Sequence, residues 1–285
     1  MGIAGQVLQV ITWEETPMAK PLLSDELWQL IEPLLPQRPA RPNGGRPPVD
    51  DRKALTGILF VLKTGIPWED LPCEMGCGCG MTCWRRLRDW QADGTWDKIH
   101  RVLLDRLNAA DLIDWSRAII DSSSVRAAYG GEGTGPSPVD RSKPGSKHHV
   151  ITDARGIPLT AGTTPANVPD INELAPRFNA IPPIKGKPGR PRRRPDRMQG
   201  DRGYDSEPHR QGLRELGVEP VLAERGTEHG SGLGVYRWVV ERTLSWLHQN
   251  RRLRIRYERR DDIHQAFLTL GCIKICSFFL LAGLS

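Results

Sequence analysis

Residues 117–125, Arg117-Ala118-Ile119-Ile120-Asp121-Ser122-Ser123-Ser124-Val125, decide how the chain is read. Upstream the apolar residues recur at helical spacing. From Arg117 the period changes, and the consecutive Ala118, Ile119 and Ile120 run into Asp121 as a short buried strand. Downstream, Lys147 to Thr152 and Ile157 to Thr163 read as two more strands around Asp153-Ala154-Arg155-Gly156, where Asp first and Gly fourth suit a type I turn. Asn172 to Phe178 reads as a short helix and Arg197 to Asp201 as a weak strand. Ser206 and Pro208 open a helix to about Leu216, and Val218 to Leu222 is another strand. Tyr236 to about Tyr257 is the longest helical candidate. The tail Ile263 to Leu284 is apolar but interrupted by His264, Gln265 and Lys274, so it reads as a buried helix. Strands first, then strands alternating with helices, predict a mixed α/β sheet with flanking helices.

On the N-terminal side the pattern is helical. After Ser24, an N-cap residue, Leu27, Leu30, Ile31 and Leu34 share one face. A Pro- and Gly-rich linker from Pro36 to Val49 carries Arg38, Arg41 and Arg46. Leu55, Ile58, Leu59 and Leu62 mark a second helix closed by Gly65 and Pro67. Thr82 is placed to cap a third, whose Trp84, Leu87 and Trp90 point one way and Arg85, Arg86 and Arg88 elsewhere. A fourth runs from about Trp96 to Leu107. A helix, a sharp turn and a short arginine-bearing helix make a helix-turn-helix-like region, although basic exposed faces also occur in ordinary bundles. The expected division is 1–17 as an extension ahead of the fold, with Met1 or Met18 as the start, 18–112 as a small all-α domain and 113–285 as the α/β domain.

The 285 residues, 38% hydrophobic and 26% charged, exclude both a disordered chain and a miniprotein that needs staples. Forty Lys and Arg against 34 Asp and Glu leave a net charge of +6. The surplus is clustered in Lys185 to Arg202, including Arg192, Arg193 and Arg194, and in Arg251 to Arg260, including Arg251 and Arg252. Such runs are often solvated faces, but guanidinium forks match phosphate oxygens bidentately, so two arginine-rich clusters point to a polyanion. Six cysteines without a secretory leader fit a reducing, cytoplasmic setting with no membrane.

Three acids stand where the pattern puts element ends or a helix face: Asp121 after the AII run, Asp201 in GDRGYD and Glu241 on the long helical segment. An ionised carboxylate after an apolar run is costly unless paired or bound to a cation, yet Asp121 can also simply cap a strand end with Ser122 to Ser124 as turn residues. On the helical segment Arg237, Glu241, Ser245 and His248 share a face. Arg237 and Glu241 read either as a surface ion pair or as an arginine that orients a metal-binding carboxylate and contacts a phosphate. Spacing alone leaves both open.

The segments IIDSSSVRA, GPSPVDRSKPGSKHHVITDARGIPL, GDRGYDS and YRWVVERTLSWLHQNRRLRIRYERR, with LSDELWQLIEPLLP and GIPWEDLP near the start, closely resemble transposases of bacterial insertion sequences, in the insertion-sequence-five family. The resemblance runs from about Leu22 to the C-terminus. It implies a ribonuclease-H-like catalytic core with a DDE triad at Asp121, Asp201 and Glu241. It also implies binding of double-stranded DNA, both the terminal repeats of the element and the target, and a homo-oligomeric synaptic complex. Arg237 and Glu241 fit the wider signature, whereas Gly234 holds the tyrosine position with Tyr236 displaced by two, and His248 stands where a lysine is common.

The expected chemistry is metal-dependent strand cleavage followed by strand transfer, with Asp121, Asp201 and Glu241 holding two Mg²⁺ ions, or Mn²⁺. No GxxxxGK[ST] phosphate loop is present. Arg85, Arg86 and Arg88 are the expected base readers; Arg192, Arg193, Arg194, Arg237, His248, Arg251 and Arg252 are the expected backbone contacts. Competing readings are a DNA-binding regulator without catalysis and a nuclease that cuts without joining. Cys73, Cys77, Cys79 and Cys83 are cramped for a zinc site. Cys272 and Cys276 read as core, and His148 and His149, alternating on a strand, cannot both face one metal.

Overall fold

The computed structural model describes residues 21–37, 47–224 and 234–283. The extension at 1–17, the choice between Met1 and Met18, and linker residues Arg38, Arg41 and Arg46 lie outside them. The helical region comprises α1 (Asp25–Ile31), α2 (Asp51–Thr64), α3 (Gly80–Ala92) and α4 (Thr95–Ala109). Ser24 Oγ accepts from Leu27 N–H and so caps α1, and Asp50 does the same for α2 through Lys53 N–H. Gly65, at φ 75°, ends α2 in the left-handed conformation that glycine adopts without strain. Thr82 does not cap α3. The helix begins two residues earlier, with Cys79 as an N-cap whose side chain makes no capping bond. Gly80 allows this start, because a Cβ there would lie 1.6 Å from the Trp68 carbonyl oxygen.

The sheet is built from β1 (Ala118–Ala127), β2 (Gly135–Pro136), β3 (Pro144–Asp153), β4 (Pro158–Pro165), β5 (Arg197–Gly200), β6 (Glu219–Leu222) and β7 (Ile255–Arg256). β1 is antiparallel to β3, and β3 to β4; on its other side β1 is parallel to β5, and β5 to β6. A three-stranded antiparallel meander extended by two parallel strands is the ribonuclease-H-like arrangement that the resemblance implied. The β3–β4 turn is anchored by Asp153, whose carboxylate accepts N–H bonds from Asp114, Arg155 and Ile157 at 2.7–3.0 Å. Ser122, Ser123 and Ser124 are not turn residues: they continue β1 opposite His149, His148 and Lys147.

The remaining helices are α5 (Leu174–Asn179), α6 (Glu207–Glu215), α7 (Gly234–His248), α8 (Arg251–Arg254) and α9 (Asp261–Gly283). The long helix expected from Tyr236 to Tyr257 is broken at Asn250. Its side-chain amide donates to the Leu247 carbonyl at 3.0 Å while its backbone turns extended, a local bond that competes with helix continuation. α9 is long and apolar enough to cross a membrane, yet two thirds of its apolar window is buried in this fold. It packs against α4, α3, α7 and β4, and one hydrophobic cluster runs from Leu23 through Ile58, Leu103 and Val150 to Leu280. One hydrophobic cluster therefore spans residues on both sides of 112/113.

Candidate active site

β1 and β5 run parallel with Ala118 opposite Met198 and Ile119 opposite Gln199. Continuing that register by two residues sets Asp201 beside Asp121, since neighbouring strands lie about 4.8 Å apart. Ile119 of β1 packs with Val239 and Val240 of α7, seating that helix over the strand. On the adjoining face of α7, Arg237 and Glu241 are one turn apart and meet the two aspartates. The Arg237 guanidinium lies 3.5 Å from Asp121 Oδ2, 3.5 Å from Asp201 Oδ2 and 3.1 Å from Glu241 Oε1. One cation thus touches three carboxylates separated by 80 and 40 residues in sequence.

The three differ in surroundings. Asp121 is 9% exposed at its side chain, Asp201 32% and Glu241 55%, so the site grades from the sheet to solvent. Burial pushes Asp121 up to about 6 against the pull of Arg237 and the Ser122 N–H bond; the negative charges of Asp201 and Glu241 push the same way as burial. Asp201 Oδ1 accepts from Gly203 N–H at 2.8 Å, which fixes the carboxylate at the head of a short 3-10 turn. Arg237 is held charged, its pKa raised by the three acids although burial opposes them.

Four other acids of the domain have partners of their own. Asp153 anchors its turn, and Asp205 Oδ1 accepts two N–H bonds from Arg210 at 3.0 and 2.8 Å. Asp170 pairs with Lys147 at 2.9 Å and Asp140 with Lys143 at 4.0 Å. Behind the aspartates sits Tyr204, buried in GDRGYD, its phenol pKa pushed up by burial and by the charge of Asp170 and Asp121. Sequence reading passed over it. Its only signal was an aromatic residue inside an otherwise polar motif. Tyr236 lies 4.1 Å beneath the Arg117 guanidinium, and Arg117 donates to Gln199 at 2.7 Å.

The expected DNA contacts divide. On α3, Arg85 is exposed, Arg86 is half-buried 3.3 Å from Asp51, and Arg88 lies over the Trp84 ring and pairs with Asp89. Arg192, Arg193 and Arg194 are exposed. Arg192 pairs with Asp196 and lies over Trp115, Arg193 donates to the Ile181 and Asn179 carbonyls, and Arg194 donates to the Leu216 carbonyl. Arg251 is exposed on α8. Arg252 is not an open phosphate ligand: it is 4% exposed, pairs with Glu258 at 2.9 Å and donates to the Ile66 carbonyl. His248 turns inward, its Nε2 buried and its ring 5.6 Å from that of His148, and burial lowers its pKa, so it offers no exposed cation.

His148 and His149 face opposite sides of β3. His148 Nε2 meets His264 Nε2 of α9 at 2.8 Å and His149 Nε2 meets the Thr164 hydroxyl at 2.8 Å. Cys77 and Cys83 are buried, both against Gly57, whereas Cys73 and Cys79 are exposed. Among the described residues no group of three or more His, Cys, Asp or Glu closes into a metal cage, at the cysteines or elsewhere. Cys272 and Cys276 are core residues of α9.

Two family models match the chain. The first, "Putative transposase of IS4/5 family", matches residues 23–100; the second, the transposase DDE domain, matches residues 116–275, more than half of the chain. The chain belongs to the DDE transposases. Two relatives come from one insertion element of Burkholderia cepacia. The "Putative transposase for insertion sequence element IS402" is 61% identical over 160 residues, 56% of this transposase and 74% of that protein. The IS402 uncharacterized 16.2 kDa protein is 65% identical over 123 residues, 42% of this chain and 84% of that one. Among solved structures, the Mos1 mariner paired end complex with Mn aligns at 10% identity and a TM-score of 0.22, covering 86% of this chain and 82% of that one. The ribonuclease-H-like assignment rests on strand order.

Proposed function

We propose that this DDE transposase binds the terminal repeats of its insertion sequence as double-stranded DNA, cleaves a strand there and joins the freed end to target DNA. The convergence of Asp121, Asp201 and Glu241 on one guanidinium carries this reading. Three carboxylates from a strand, a strand end and a helix form a hard oxygen donor set, and the cation already among them supports a site that takes positive charge. That donor set suits Mg²⁺ or Mn²⁺, which Asp121, Asp201 and Glu241 would hold. When bound, such ions activate the attacking oxygen and stabilise the leaving oxygen of an in-line displacement at phosphorus.

The protein groups have separate tasks. β1 and β5 hold the two aspartates on rigid backbone. Glu241, the most exposed of the three, is the carboxylate with most freedom to adjust. Arg237 keeps the acids together and presents a fork that also fits a phosphate. Arg85 is the exposed candidate for base reading on α3, while Arg251 and the Arg192 to Arg194 loop suit backbone contact. Pairing two DNA ends calls for at least a homodimer.

Asp121→Asn, Asp201→Asn and Glu241→Gln variants should each bind a terminal-repeat duplex as the parent does and lose Mg²⁺-dependent nicking of a labelled strand. Undiminished nicking in any one would remove that residue from the site. Nicking without joined product would favour the nuclease reading.

A further inference from the structure

A second cleft, of about 710 Å³, opens at the other end of β1, between α3 and the segment joining α8 to α9. Its walls include Trp68, Trp84, Tyr129, Tyr257, Arg259 and Arg260. Trp84 lies between two guanidiniums, with Arg88 5.3 Å and Arg260 5.9 Å from its ring centre. Across the cleft Tyr129 stands 6.2 Å from Tyr257, tilted 56° to it, and is 64% exposed, an aromatic ring held out into solvent.

This arrangement is built rather than incidental. Tyr129 sits on the turn after β1, and that turn is pinned to the basic segment by two backbone bonds: Ala128 N–H to the Arg256 carbonyl and Glu132 N–H to the Arg259 carbonyl, both 2.8 Å. Gly131, at φ 115°, permits the contact, because a Cβ there would lie 2.3 Å from the Arg259 carbonyl oxygen. The aromatic and basic walls are therefore locked together before any ligand arrives.

The charge is uneven. Arg252 and Glu258, also on the wall, cancel in a buried pair. Arg260 is paired with Asp262 and Arg88 with Asp89, and Glu69 lies on the rim. Arg259 is exposed and has no ion pair among the described residues. Aromatic faces beside arginines are the chemistry that takes nucleobases by stacking and their phosphates by charge. The volume falls within the range of about 300–1,000 Å³ of sites for small ligands, room for one or two bases and not for a duplex.

We infer that this cleft binds unpaired DNA, a base or two of a displaced strand stacked on Tyr129 beside Trp84. The inference rests on the DNA-processing reading and adds to it a single-strand subsite. Six residues of β1 separate Asp121 from Ala127, a span of about 20 Å at about 3.3 Å per residue.

The test compares the full-length protein and its Tyr129→Ala and Tyr129→Phe variants by fluorescence anisotropy, with a labelled oligo(dT) single strand and a blunt mixed-sequence duplex at one fixed salt concentration. Tyr129→Ala should weaken oligo(dT) binding about tenfold and leave duplex affinity unchanged, and Tyr129→Phe should bind like the parent. Because Tyr129 is exposed, circular dichroism and melting of both variants should match the parent. Equal losses on both DNAs, or no loss on oligo(dT), would overturn the subsite while leaving the DNA-processing reading standing. A parent that binds neither DNA would instead sink that underlying reading.

Discussion

Replacing both His148 and His264 by leucine should make the protein markedly less sensitive to acid. These rings meet at 2.8 Å in the core, on β3 and α9, and both are fully buried. Burial, then the neighbouring His264, His248, His149 and Arg256, holds His148 well below the ordinary imidazole range; burial and Arg256 push His264 down to about 3. His264 is therefore neutral in the folded protein at pH 5, and His148 is shifted in the same direction. In the unfolded chain each titrates near 6.5, so depressed folded values mean stability that is complete above about pH 6.5 and is lost as pH falls below it. At pH 5, about 1.5 units lower, His264 alone costs about 2 kcal/mol, and His148 adds in the same direction. That is a large part of a total stability of about 5–15 kcal/mol. Asp121, at about 6, and Asp153, pushed up by burial to about 7, change stability in the opposite sense over this range. They are common to parent and variant and cancel in the comparison. Urea unfolding at pH 7 and pH 5 measures the effect: the drop in stability between the two should be smaller in the double variant by about 2 kcal/mol or more. An equal drop would refute the claim that these imidazoles are locked neutral.

Removing Arg252 as Arg252→Ala leaves the Glu258 carboxylate buried without its partner and should cost about 3–5 kcal/mol in urea unfolding. The double change Arg252→Met, Glu258→Leu should recover most of that loss. Gly80→Ala, whose Cβ would strike the Trp68 carbonyl at 1.6 Å, should lose about 3 kcal/mol or more in thermal unfolding even though alanine favours helix. Arg237→Met withdraws the positive charge that sits 3.1–3.5 Å from three carboxylates. With screening near that of water this charge is worth about 1 kcal/mol, so Mn²⁺ binding in the absence of DNA, followed by electron paramagnetic resonance, should tighten about fivefold. Unchanged Mn²⁺ affinity would show that the arginine does not compete for the site.

The fold was legible wherever apolar period and turn chemistry coincided. Ser24, Asp153-Gly156 and Ser206 all act where their residue types predict, because capping and turn bonds are local. Asn250 defeated the reading of α7, since the helical period continues past it while its amide takes the carbonyl of Leu247. The carboxylates were legible as candidates through the ordered motifs, but their meeting depends on a parallel register between strands some 80 residues apart, which no local pattern encodes. Arginine identity was a poorer guide. Arg252 and Arg256 sit in the same basic run as Arg251 and Arg259, and only tertiary packing turns the first two into buried ties, Arg256 holding Glu258, Ser146 and Asp261.

α9 packs on both α4 and the sheet, so α3 and the acid-bearing strand β1 are bolted to a common beam. On the proposed function, the helix that would read DNA and the strand that would help cut it keep a constant offset, as the jaws of a fixed gauge do. The place of the cut would then be set by where α3 settles.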